Sequence, residues 1–172
     1  MVNYHLKRKP FTIYHLPLKK MASFFNNYFF LILAVLAGAM MPTQAAINNK
    51  LAMSVDSPIL SAFISFAVGT VALFLYILAT GIPLGNLLEA KNASVVAWSG
   101  GVLGAFFVAS TITLVPRLGV ALTFSLVIAG QMLVTLVIDH FGFLDVPVKE
   151  VNLPRLLGVT FITIGVILIR RF

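Results

Sequence analysis

Three side-chain amides inside long apolar stretches are the residues of this sequence best suited to binding a ligand. Gln44 and Asn48 are spaced four residues apart, which places them on one face of a helix, and Gln131 stands alone in a later stretch. An amide removed from water needs a hydrogen-bonding partner. We therefore predict that all three face another helix or a polar cavity and hydrogen-bond a substrate there. For Asn48, the emergence of a helix end into water is an equally supported interpretation.

Three further side chains could take part in chemistry. Asp139 and His140 adjoin each other after the stretch that contains Gln131. Such a pair could relay a proton, but a polar cap at the membrane edge is the interpretation we favour. Trp98 lies near the start of another apolar stretch, where an indole belongs at the membrane–water interface. Contact of Trp98 with a substrate is the alternative.

The stretches that carry these residues predict an all-α membrane protein with five transmembrane helices. The chain is 60% hydrophobic and 10% charged, with a mean hydropathy of +1.03, against about 45–50% and about 25% in soluble domains. About 20 helical residues cross a bilayer. The expected membrane domain covers 28–172, with helices at approximately 28–47, 58–80, 94–115, 118–139 and 153–170.

Proline, serine and glycine mark where these helices begin, bend and end. Ser57 and Pro58 are an N-cap followed by proline at the first helical position. Pro42 should kink the first helix, Pro116 should end the third, and Gly142 should end the fourth. Only Pro116 and Arg117 separate the third and fourth helices, so these should be antiparallel neighbours.

Residues 1–27 form a basic segment with no acidic residue. One interpretation is a cytoplasmic tail held near anionic lipid. A second is that translation begins at Met21, which is followed closely by apolar sequence. A signal peptide is a third and less favoured interpretation, because the apolar run is long and four further spans follow.

The net charge of +7 does not indicate nucleic-acid binding, because the cations lie in short gaps and at the chain ends, where they act as topology signals and contact lipid. The sequence has no cysteine, and we find no cluster of histidines and no Ser/His/Asp set at membrane depth. We therefore expect neither an enzyme nor a bound metal or cofactor.

Five spans place the two termini on opposite sides of the membrane. With the N-terminus inside, Lys91, Lys149 and Arg155 lie inside, whereas the outside collects four cations (Lys50, Arg117, Arg170 and Arg171). This near balance gives the core no preferred orientation, and the basic tail, if translated, makes the N-terminus cytoplasmic.

Two such units in opposite orientations would form an inverted repeat. We therefore predict a homodimer, or a heterodimer with a homologue, which is antiparallel if the chain starts at Met21. Gly100 and Gly104 form a GxxxG pair, and Gly158 and Gly165 lie one heptad apart. We expect these four glycines to pack helices together.

Several motifs together resemble one family. They are Gly-Ala-Met-Met-Pro-Thr-Gln-Ala-Ala-Ile-Asn at 38–48, Ser57-Pro58, Trp98 with Gly100-Gly101 and Gly104, Pro116-x-x-Gly119-Val-Ala, and Gly130-Gln131 followed by Ile138-Asp139-His140-Phe141-Gly142. From Met21 onward the chain is similar to the YdcZ-type family of small five-helix bacterial inner-membrane proteins, in the drug/metabolite transporter superfamily. The resemblance implies a half-transporter bundle and export of small molecules. Four-helix exporters of that superfamily use a glutamate in their first helix, whereas this chain has Gln44 and no acid there.

We therefore expect an inner-membrane transporter, and more specifically an exporter, of a small organic solute. Its binding residues would be Gln44, Asn48 and Gln131, with Trp98 as a further candidate. The alternative is a non-transporting helical subunit that scaffolds or assembles with another membrane protein.

Overall fold

The computed structural model describes the backbone of residues 16–171 and the side chains of residues 28–171. Its described part contains five α-helices: α1 (Leu16–Val55), α2 (Pro58–Thr80), α3 (Val95–Leu118), α4 (Val120–Phe141) and α5 (Leu153–Arg171). Short 3-10 segments follow α2 at Leu84–Asn92 and α4 at Phe143–Asp145. Each α-helix contains a stretch long and apolar enough to cross a membrane. The expected all-α membrane protein with five transmembrane helices is confirmed.

Helix α1 is longer than predicted at both ends. It starts at Leu16, inside the predicted basic tail, and continues through Pro42 to Val55. An interior proline removes one backbone hydrogen bond and its ring crowds the preceding turn, which can bend a helix without ending it. The interpretations that depend on residues 1–15 fall outside the described residues. Internal contacts divide the chain into Met1–Met40 and Met41–Phe172, and the packed core belongs to the second unit.

Two of the predicted helix ends are confirmed in atomic detail. The Ser57 hydroxyl accepts a hydrogen bond from the backbone N–H of Leu60 at 3.3 Å, and Pro58 is the first residue of α2. Gly142 follows α4 with φ +64° and donates its N–H to the carbonyl of Ile138. This left-handed backbone is accessible to glycine at little cost and it ends the helix.

The connection between α3 and α4 differs from the prediction. Helix α3 continues past Pro116 to Leu118, and the single residue Gly119 separates it from α4. Proline has a backbone φ that suits a helix, so near a helix end it removes one hydrogen bond without ending the helix. Gly119 makes the turn instead, with φ +78° and ψ 162°. Its carbonyl accepts a hydrogen bond from the backbone N–H of Thr123.

The core lies where one end of each of α1 to α4 comes together. One cluster joins Ala52 of α1, Ala62 of α2 and Ile112 of α3. A second joins Ala45 of α1 to Val115 and Phe124. Small residues dominate the α1 and α2 contributions, which lets these helices approach closely. Helix α5 packs on α4.

Candidate solute-binding residues and the edge of α4 and α5

Gln44 lines a groove between α1 and α2. The groove measures about 230 Å³, and its walls also include Ser65, Gly69 and Thr70 from α2. The side chain of Gln44 is exposed in this groove, whereas its neighbour Ala45 is buried in the core. None of the lining residues is charged. The groove therefore offers amide and hydroxyl groups within otherwise apolar walls.

Asn48 lies one turn farther along α1 but is enclosed by the helices. It is 5% exposed, and its Nδ2 has no hydrogen-bond partner in the described part of the chain. The hydroxyl of Ser61, which is fully buried, donates to the backbone carbonyl of Asn48 at 2.6 Å. Asn48 therefore does not emerge into water. Its unpaired amide donor lies inside the packed end of the bundle.

Gln131 lies near the middle of α4, and its side chain is exposed on the surface of the chain. It does not line the groove that contains Gln44. Its backbone carbonyl accepts the hydroxyl of Thr135, one turn along the helix. Among the described residues, the groove around Gln44 therefore does not include Gln131.

Trp98 lies in the first turns of α3 and is 62% exposed. It lines none of the grooves described for the chain. Both the interfacial role and the substrate contact expected for Trp98 remain predictions.

Asp139 pairs with Arg155 rather than with its neighbour His140. The Arg155 Nη2 donates to Asp139 Oδ2 at 2.8 Å, and Arg155 Nη1 donates to the backbone carbonyl of Lys149 at 2.9 Å. The backbone N–H of Lys149 in turn donates to the carbonyl of Asp139 at 2.8 Å. These three bonds join the end of α4 to the start of α5. The sequence alone marks Arg155 only as a topology signal.

His140 faces the segment that leads into α5. Its Nδ1 accepts the backbone N–H of Val151 at 3.3 Å. The imidazole also lies edge-on to Phe141, with ring centroids 4.8 Å apart. Asp139 and His140 therefore have separate partners: the Asp139 side chain ties α4 to α5, and His140 ties α4 to the segment before α5. Their expected proton relay remains a prediction.

The four glycines expected at helix contacts have different surroundings. A methyl group built on Gly104 would lie 3.5 Å from the ring of Phe66 in α2, so this glycine faces a neighbouring helix. Positions Gly100, Gly158 and Gly165 have open space where a side chain would be. Of these four glycines, Gly104 is the one whose Cβ position contacts a neighbouring helix of the same chain.

No group of three or more His, Asp or Glu side chains between residues 28 and 171 could hold a metal ion. The polar side chains that line the groove around Gln44 carry amide and hydroxyl groups, which can hydrogen-bond a solute without transferring a charge. The arrangement is therefore suited to binding a neutral group.

Comparison with known proteins gives one match. No curated protein and no solved structure matches the chain. A family model described as "Putative inner membrane exporter, YdcZ" matches residues 29–168, which include all five candidate spans except their outermost residues. The match agrees with the resemblance carried by the motifs around Gln44, Gln131 and Asp139. The chain is a multi-pass inner-membrane protein and belongs to the YdcZ family that this description names.

Proposed function

We propose that the chain is one half of a dimeric transporter that exports a small, neutral or weakly charged organic solute. The observation that carries this proposal is the groove around Gln44. It combines an amide and two hydroxyl-bearing side chains with apolar walls, and it contains no charged side chain. Binding pockets for small molecules have this composition, with a few polar groups that fix orientation.

Gln44 and Gln131 support a dimer because both amides are exposed on membrane-spanning helices of the single chain. Against lipid, an amide would have no hydrogen-bonding partner, at a cost of roughly 1–3 kcal/mol. A second subunit would cover these surfaces and could form one cavity that contains amides from both copies.

Solute efflux from proteoliposomes tests the transport proposal. The purified chain would be reconstituted and its vesicles loaded with a panel of labelled neutral, cationic and anionic metabolites. We expect efflux of at least one neutral or weakly charged solute, and we expect Gln44→Leu and Gln131→Leu to abolish it. Asn86→Leu is the matched control, because it introduces the same side chain at an exposed site outside the spans.

Folding and dimerisation of each variant would be checked by circular dichroism and size-exclusion chromatography with light scattering. Efflux that is unchanged in both glutamine variants would refute the proposed binding residues. An absence of efflux for every solute class would favour the alternative function, a helical subunit that scaffolds another membrane protein.

Orientation can be tested with single cysteines, because the sequence has none of its own. One cysteine would be placed at Ser23, ahead of the first candidate span, and another at Arg171, and each would be labelled from either side of the membrane. Labelling of each site from both sides supports the antiparallel dimer that we propose for a chain starting at Met21. A single orientation in every copy, with no oppositely oriented homologue present, would exclude it.

A further inference from the structure

A second groove lies between α4 and α5, and we call it the α4–α5 groove. It measures about 200 Å³ and is separate from the groove around Gln44. Its lining includes Met132, Leu136, Asp139, Arg155, Gly158 and Ile162. The two charged residues lie at one end of it, near the C-terminus of α4 and the N-terminus of α5.

We propose that the α4–α5 groove binds a zwitterionic aminophospholipid of the phosphatidylethanolamine type. The phosphate would lie on Arg155, the ammonium group on Asp139, and part of one acyl chain along the apolar wall. This proposal is independent of the proposed transport function.

The geometry of the groove fits the shape of a phospholipid. Asp139 and Arg155 lie where their helices reach the end of the span, which is the level of lipid headgroups. Met132 and Ile162 lie two turns deeper, about 10 Å along their helices. A ligand that follows the groove therefore passes from a charged end to an apolar end within one leaflet.

Arg155 can hold a phosphate without leaving Asp139. A guanidinium group has five N–H donors. Two of them are used, one on Asp139 and one on the carbonyl of Lys149, and no other hydrogen bond from this side chain is found among the described residues. The Arg155 side chain is 30% exposed, so the remaining donors can reach a ligand. Guanidinium donors bind phosphate oxygens strongly.

The local charge favours a zwitterionic headgroup over an anionic one. From Asp139 to Arg155 the chain carries three carboxylates, Asp139, Asp145 and Glu150, and two Lys or Arg cations, Lys149 and Arg155. The excess of negative charge would repel a lipid with a net negative charge. Asp139 uses Oδ2 for Arg155, and its Oδ1 remains as an acceptor. A primary ammonium group has three N–H donors for such an oxygen, whereas the quaternary ammonium of phosphatidylcholine has none.

Lipid retention on the full-length chain tests the proposal. The protein would be incubated in detergent with equal amounts of phosphatidylethanolamine, phosphatidylcholine and phosphatidylglycerol, and bound lipid counted by native mass spectrometry. We expect one phosphatidylethanolamine per chain to be retained, with roughly tenfold preference over phosphatidylcholine from the additional charge-assisted hydrogen bond. Equal retention of the three lipids would overturn the proposal.

Two glycines of α5 give a matched pair of variants for the groove itself. Gly158 lines the groove and Gly165 does not, yet a side chain meets open space at both. Gly158→Leu should fill the groove and release the lipid, whereas Gly165→Leu should leave lipid retention unchanged. Equal retention by the two variants would contradict binding in the groove.

Two substitutions then separate the headgroup contacts. Asp139→Asn keeps an oxygen for Arg155 but removes the negative charge, so the preference for phosphatidylethanolamine over phosphatidylcholine should fall. Arg155→Gln should weaken retention of both lipids alike. An unchanged lipid preference in Asp139→Asn would show that the ammonium group does not lie on this carboxylate, and unchanged retention in Arg155→Gln would remove the phosphate site.

Discussion

Gly142 ends α4 in left-handed backbone, and we expect Gly142→Ala to destabilise the protein more than Gly81→Ala does. Both glycines end a helix with a similar positive φ, +64° at Gly142 and +69° at Gly81. Their surroundings differ. A Cβ at Gly81 meets nothing within 4 Å, whereas a Cβ at Gly142 would lie 2.7 Å from Cγ2 of Val148 and 3.4 Å from the carbonyl oxygen of Val146.

Both substitutions therefore pay for the left-handed backbone conformation, and Gly142→Ala also introduces a steric overlap. The left-handed conformation costs an alanine roughly 1–2 kcal/mol relative to glycine. This is the whole expected effect at Gly81. At Gly142 the overlap adds about 1–3 kcal/mol, the usual range for overpacking. Val148 cannot move away freely, because the N–H of the next residue, Lys149, bonds to the carbonyl of Asp139.

Equilibrium unfolding in mixed micelles, followed by circular dichroism, measures this difference. Both alanine variants would be compared with the unsubstituted chain, and Gly142→Ala combined with Val148→Ala would complete a double-mutant cycle. We expect Val148→Ala to remove the extra cost at Gly142, because it deletes the overlapping methyl group. Equal destabilisation by Gly81→Ala and Gly142→Ala would refute the reasoning.

Two further predictions concern the buried polar groups. Ser61→Ala removes the hydrogen bond to the Asn48 carbonyl and should lower the free energy of unfolding by about 1 kcal/mol. Thr70→Val is the control: its hydroxyl bonds only to the carbonyl of Phe66 in the same helix, so the free energy of unfolding should fall by less. A Thr70→Val variant as destabilised as Ser61→Ala would argue against an inter-helix role for the Ser61 bond. Asn48→Leu removes a buried donor without a partner, so the free energy of unfolding should be unchanged or should rise by up to about 1 kcal/mol. A clear loss of stability would mean that the Asn48 amide has a partner in the membrane.

The five spans could be predicted because lipid imposes a simple requirement of length and apolarity. Ser57 and Gly142 could be recognised because their roles depend on residues close to them in sequence. The end of α3, in contrast, could not be predicted from Pro116. Proline weakens a helix without always ending it, and the turn needed the positive φ of the glycine three residues later.

The partner of Asp139 could not be predicted, because it depends on the path of the chain between α4 and α5. The sequence places His140 beside Asp139, but consecutive helical residues point in different directions. Lys149 and the left-handed residues Leu144 and Asp145 bring Arg155 back to the carboxylate. A cation at the start of α5 was the available signal, and the short loop made the contact geometrically accessible.

Helix α2 is held near its first turns and extends far beyond them. Its buried residues are Ser61 and Ala62, whereas the part from Ala67 to Thr80 is almost wholly exposed. From Ala62 to Thr80 the helix measures about 27 Å. A rotation of α2 by about 5° about its packed end would therefore move the far tip by roughly 2 Å. A displacement too small to disturb the core could thus change the width of the bundle at the opposite side of the membrane.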